Sequence, residues 1–140
     1  MSRWCKTTSS NTSVQFPAQV FDKINENFIR CSFFELCSRY LSSCYTFAIE
    51  QNNSAGRSDF EMTGIPGTDY YKDDRLAEFK YFKAKEAERM LALSDPRPED
   101  VAQVRAYAKD TKQKFPVYNV RSYIVYICAN KGWKCWEVTE

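Results

Sequence analysis

Two consecutive stretches decide how the chain is read. Gln51–Lys72 is QNNSAGRSDFEMTGIPGTDYYK, and Asp73–Leu93 is DDRLAEFKYFKAKEAERMLAL. In the first, Gly56, Gly64, Gly67 and Pro66 interrupt any periodicity, so residues 51–72 read as a long loop. Loops of that length in a compact domain are uncommon and often functional. In the second, Leu76, Phe79, Phe82, Met90, Leu91 and Leu93 recur at helical spacing. Asp73 and Asp74 suit the positive end of such a helix. The spacing therefore predicts one helix over 73–93, with Lys83 and Glu86 interrupting its apolar face.

Upstream, Val20, Phe21, Ile24, Phe28 and Ile29 predict a helix near 17–30, with Pro17 in its first turn. A second helix is expected over 32–50. There Phe33, Phe34, Cys37, Tyr40, Leu41, Cys44, Tyr45, Phe47 and Ala48 fall on one arc at 100° per residue. Residues 1–13 are polar and read as an arm, and 14–140 as one globular domain, with Val14–Phe16 a candidate short strand.

Downstream, Ser94-Asp95-Pro96-Arg97-Pro98 is a stop and restart that opens a helix running to Lys114. Val117, Val120 and Tyr123–Ile127 then have strong β-propensity, and Asn130-Lys131-Gly132 reads as a three-residue turn into a return strand, Trp133–Val138. In that register Ile127 faces Cys135, Cys128 faces Lys134 and Tyr126 faces Trp136. The expected fold is α+β: about four helices followed by a C-terminal antiparallel hairpin, with the short N-terminal strand as an optional addition.

Composition narrows the chemistry. The chain has 140 residues, six cysteines and no histidine. Without histidine, Ser/His/Asp and Cys/His catalysis and histidine-containing zinc sites are excluded. The cysteines, at 5, 31, 37, 44, 128 and 135, contain no C-x-x-C pair. Cys37 and Cys44 lie on an apolar arc, where a thiol acts as a small hydrophobe. Six free thiols, no metal site and no cofactor are expected. The first residues lack an apolar signal segment and no stretch could span a membrane, which implies a cytoplasmic protein with no membrane partner.

Twenty basic and eighteen acidic residues leave a net charge of +2, too balanced for a surface dedicated to polyphosphate. Residues 97–140 are mildly positive, with eight basic and five acidic residues. Arg105, Lys109, Lys112, Lys114 and Arg121, interleaved with tyrosines, form a candidate nucleic-acid surface. The expected affinity there is the roughly 10⁻⁵ M of non-specific contacts. Asp59, Glu61, Asp69, Asp73 and Asp74 offer a candidate carboxylate site in or beside the 51–74 loop. No phosphate-binding glycine pattern or calcium loop is present.

Both faces of the predicted hairpin are apolar. Tyr126 and Trp136, with Lys134 at their rim, are therefore candidate anchors for a protein partner. No catalytic constellation stands out. The sequence favours a small non-enzymatic protein-binding module, of the kind phages and viruses use as inhibitors or adaptors against intracellular proteins. Nucleic-acid binding through the basic C-terminal part, and an enzyme built on the 51–74 carboxylates, are the alternatives.

Overall fold

The computed structural model describes residues 17–53 and 56–139. The polar arm over 1–13 and the candidate strand at Val14–Phe16 lie outside the described residues. The elements run α1 (Ala18–Asp22), α2 (Glu26–Leu41), β1 (Tyr45–Asn53), β2 (Gly56–Gly64), β3 (Asp73–Phe82), α3 (Ala84–Ala92), α4 (Pro98–Lys114), β4 (Asn119–Cys128) and β5 (Gly132–Val138). They form one five-stranded mixed sheet in the order β1-β2-β3-β4-β5. β3 and β4 are parallel, joined by the α3–α4 crossover, and the other neighbours are antiparallel.

The expected succession of helices and hairpin is thus overturned. Helices interleave with the sheet, and three strands precede the crossover. The helix expected near 17–30 breaks at residues 23–25, where Asn25 caps α2 by accepting the Phe28 N–H at 3.0 Å. The helix expected over 32–50 stops at Leu41. Tyr45, Phe47 and Ile49 then alternate along β1 and pack with Phe60 and Phe79 under α2. The 51–72 loop is mostly strand, because Gly56 and Gly64 bound β2 rather than interrupt it.

Gly64 is required by a close approach. A Cβ there would stand 1.6 Å from the Tyr70 carbonyl oxygen, in the connection that returns the chain to β3.

The segment 73–93 divides into a strand and a helix. Along β3, Leu76 and Phe82 face α3 and α4, while Ala77 and Phe79 face α2. A central strand covered on both sides carries apolar residues on both faces. Asp73 and Asp74 therefore open a strand rather than a helix.

β4 and β5 form a hairpin, closed by Ala129-Asn130-Lys131 with Ala129 at φ 44°. Gly132, at φ 151°, pairs with Cys128 instead of ending the turn. Lys134 therefore lies opposite Tyr126, and Trp136 opposite Ile124. The shift preserves the face assignment. Ile124, Tyr126 and Cys128 lie beneath α3 and α4, with Trp136 and Val138 packed beside them. Val125, Ile127, Trp133 and Cys135 line an apolar groove of about 500 Å³ beside α2. Among the described residues no helix is long and apolar enough to cross a membrane.

Gly64→Ala should lower stability by about 1–3 kcal/mol, the cost of forcing a methyl into filled space. A shift of the urea midpoint at constant slope checks this; an unchanged midpoint would show that the Tyr70 connection yields without cost.

Candidate active site

The β2–β3 ladder pairs Thr63 with Asp74 through Phe60 with Ala77, and stops there. β2 continues beside β1 towards Gly56, while β3 continues beside β4 to Phe82. At the fork between them, Asp59 takes over the role of the missing ladder bond. Its Oδ2 accepts the Phe79 N–H at 2.9 Å, and its Oδ1 accepts from Arg30 Nη1 of α2 at 2.6 Å. Charge-assisted bonds of this kind fix a carboxylate firmly.

Glu78 and Lys80 sit either side of Phe79, so both side chains leave β3 on the same face. Lys80 Nζ donates to Glu78 Oε1 at 2.9 Å. Glu78 is only 4% exposed, and its Oε2 meets no hydrogen-bond donor among the described residues. Burial pushes its carboxyl up to about 7, aided by the nearby Asp59 and Glu26 charges and opposed by Lys80. Burial alone would lower the Lys80 pKa. Glu78, with Glu26 and Asp100, outweighs it and holds the ammonium above its ordinary value. Glu26, in the first turn of α2, accepts the Tyr81 N–H at 3.3 Å. It lines an open cleft of about 610 Å³, which Tyr81, Lys83 and Lys85 also border.

These residues gather two carboxylates and an ammonium at a strand fork, with a third carboxylate at the adjoining cleft. Hydrolytic enzymes that act on phosphodiesters use such a set with a divalent cation. A sequence profile of the PD-(D/E)XK nuclease superfamily matches residues 24–137, most of the chain. The chain belongs to the PD-(D/E)XK nuclease superfamily. The pattern in that name falls on Ser58-Asp59 and Glu78-Phe79-Lys80, with serine in place of the proline. No curated protein matches the chain.

Membership overturns the reading as a non-enzymatic module, inhibitor or adaptor; the enzyme alternative fits better. Asp59 belongs to the carboxylates noted in the sequence. Glu78 and Lys80 escape that reading because a helix over 73–93 would leave them as solvated charges. Alternation through Leu76-Ala77-Glu78-Phe79-Lys80-Tyr81-Phe82 is the signal that identifies them.

The anchors expected on the hairpin are fastened to the α3–α4 connection. Tyr126 is fully buried, between Phe82 and Trp136. Its hydroxyl donates to Asp100, which also pairs with Arg97. Trp136 Nε1 donates to the Ser94 carbonyl at 2.9 Å, and Lys134 Nζ to the Leu93 carbonyl. Tyr126 thus presents no surface to a partner; its face is covered by α3 and α4.

The basic residues lie apart from the fork. Arg105 donates to the Thr139 carbonyl, Lys114 pairs with Asp110 at 2.7 Å, and Lys109 and Lys112 lie on α4. Arg121 pairs with Asp73 at 3.0 Å and stands opposite Arg75 in the ladder, roughly 10 Å along β3 from Glu78.

A second carboxyl pair shares the face of Glu78. Asp74 is 0% exposed, and neither of its oxygens meets a conventional donor among the described residues. Glu61 lies beside it, and a shared proton would let the two acids hydrogen-bond to each other. Burial and the Glu61 charge push Asp74 up to about 8, and burial also raises Glu61. A folded-state pKa above the unfolded value favours folding at low pH, and that contribution is lost as pH rises from about 4 through 8. Asp74→Asn should flatten this decline and raise the melting temperature at pH 8.5 by about 3 °C or more. Melting curves from pH 5 to 9 check it; parallel curves for the two proteins count against the shared proton.

Proposed function

We propose that the protein is a divalent-cation-dependent hydrolase of phosphodiester bonds in nucleic acid. The observation that carries this reading is the convergence of Asp59, Glu78 and Lys80 at the fork between β2 and β3. The donor set suits a hard cation. Asp59 and Glu78 offer carboxylate oxygens, and Glu78 Oε2 is a buried acceptor without a hydrogen-bond partner among the described residues. Among the described residues no three Asp, Glu or Cys side chains converge as a ready-made metal cluster. Magnesium suits a two-carboxylate site, because it commonly binds through one or two carboxylates and completes its shell with water and substrate phosphate.

A cation held by Asp59 and Glu78 would supply positive charge to the phosphate and acidify a bound water. The chain's own contribution is positional. The Asp59–Phe79 bond sets one ligand against the strand that carries the other. Lys80, kept charged by Glu78, places a fixed ammonium where negative charge develops on the phosphate. Lys83 and Lys85, exposed on the cleft beside Glu26, are placed to meet the backbone phosphates flanking the scissile one. The nucleic-acid partner is thus proposed at this cleft, rather than along the basic residues of α4.

Cleavage of labelled duplex DNA, single-stranded DNA and RNA, with Mg²⁺ or Mn²⁺ over pH 6–9, tests the reading. At least one substrate should be cut. Lys80→Ala and Glu78→Gln should each reduce the rate by about 100-fold or more while the circular dichroism stays native. Absence of cleavage across that panel by the folded wild-type chain would sink the proposal.

Removing the charges of Lys83 and Lys85 together should weaken binding to an uncut substrate in Ca²⁺. The slope of log affinity against log salt should also fall by about 1–2. An unchanged slope would place the phosphate contacts elsewhere.

A further inference from the structure

Asp59 already has a cation. Arg30 Nη1 stands 2.6 Å from Asp59 Oδ1, and both side chains are largely buried. The other terminal nitrogen of Arg30 donates to Asn27 Oδ1, one turn earlier on α2. The remaining Asp59 oxygen is held by the Phe79 N–H. Thus Oδ1 is the oxygen through which Asp59 can take up a metal ion, and a guanidinium now covers it. Two positive centres on one carboxylate oxygen repel each other strongly in a buried setting.

We propose that Arg30 is an internal counter-cation that competes with the divalent ion for Asp59, so that metal binding and withdrawal of Arg30 are linked. This rests on the reading of Asp59 and Glu78 as a metal site. Without metal, Arg30 prevents an uncompensated buried carboxylate, which is costly in folded proteins. When the ion binds, it takes over that neutralisation. Asn27 can retain the released guanidinium near the cleft, where its planar donors suit a phosphate. Lys80 cannot play this part at Asp59, because its ammonium is engaged with Glu78. The two cations therefore have separate duties: Lys80 stays with its carboxylate, and Arg30 yields.

Calorimetric titration of the full chain with Mn²⁺, without nucleic acid, tests the competition. Arg30→Gln should bind Mn²⁺ at least about tenfold more tightly than wild type. It should be less stable in chelator, and a fixed Mn²⁺ concentration should raise its melting temperature more than that of wild type. Arg30→Lys keeps the charge and should bind Mn²⁺ within a fewfold of wild type. Equal or weaker Mn²⁺ binding by folded Arg30→Gln would overturn the competition. Asp59→Asn separates this outcome from failure of the metal site. If Asp59→Asn binds Mn²⁺ as wild type does, the ion is not held by Asp59, and the site assignment falls with the inference. If Asp59→Asn abolishes binding but Arg30→Gln does not tighten it, only the role of Arg30 is refuted.

Discussion

The bond from the Phe79 N–H to Asp59 is the constraint on which the site depends. A sheet whose inner strands part company leaves backbone donors without partners, and a buried unpaired N–H is expensive. Here a side chain from the departing strand closes the gap. The fork can then remain open without loss of order. The bond also measures the site. It ties one carboxylate to the backbone of Phe79, the residue between Glu78 and Lys80. Relative placement of the three groups thus depends on one short stretch of β3 and one hydrogen bond, with little contribution from loops.

Around that bond the electrostatics are balanced by pairs. Arg30 neutralises Asp59 and Lys80 neutralises Glu78, so four charges occupy a small volume with little net excess. Burying paired charges is close to neutral for stability, whereas losing one partner is costly. Glu26 joins this group from α2, whose position is fixed at the end of β3. There the Tyr81 hydroxyl donates to the Phe21 carbonyl at 2.6 Å, and the Tyr81 N–H donates to Glu26.

Much of the architecture is legible in the sequence where one signal acts alone. Pro98 followed by a polar run with sparse apolar positions yields α4, and the β-branched and aromatic run after Val117 yields the hairpin. The face division of that hairpin is legible too, since a register shift that preserves parity leaves every side chain on its own side. The misread segments have a common cause. Phe33 through Ala48 and Leu76 through Leu93 each contain a strand and a helix in succession, with no glycine or proline between them. A strand covered on both faces has apolar residues at successive positions, and such a run also satisfies helical spacing. In β3 the ambiguity is sharpened by two charged residues. Glu78 and Lys80 are polar where the fold alone calls for apolar residues, so they imitate the solvent side of a helix. Local rules are broken most often at sites of chemistry.

The same sheet face carries a second pair of acids, and comparing the two pairs shows what makes one of them a site. Asp74 and Glu61 come from the same two strands as Glu78 and Asp59, a few residues along the ladder. Among the described residues neither Asp74 oxygen meets a hydrogen-bond partner, and burial pushes its carboxyl up to about 8. Beside that pair α4 brings Asp110 and Lys114, whose charges act on Glu61 in opposite senses. A carboxyl whose pKa is raised by burial is a poorer ligand for a cation than an ionised one. Asp59 and Glu78 instead have a dedicated cation each and stand where the ladder ends. Composition is therefore not what distinguishes the pairs, because both are acidic; nor is burial, since Asp59, Asp74 and Glu78 are buried and Glu61 is half-buried. The difference is that Asp59 and Glu78 each pair with a cation beyond the end of the β2–β3 ladder, whereas Glu61 and Asp74 lie within it.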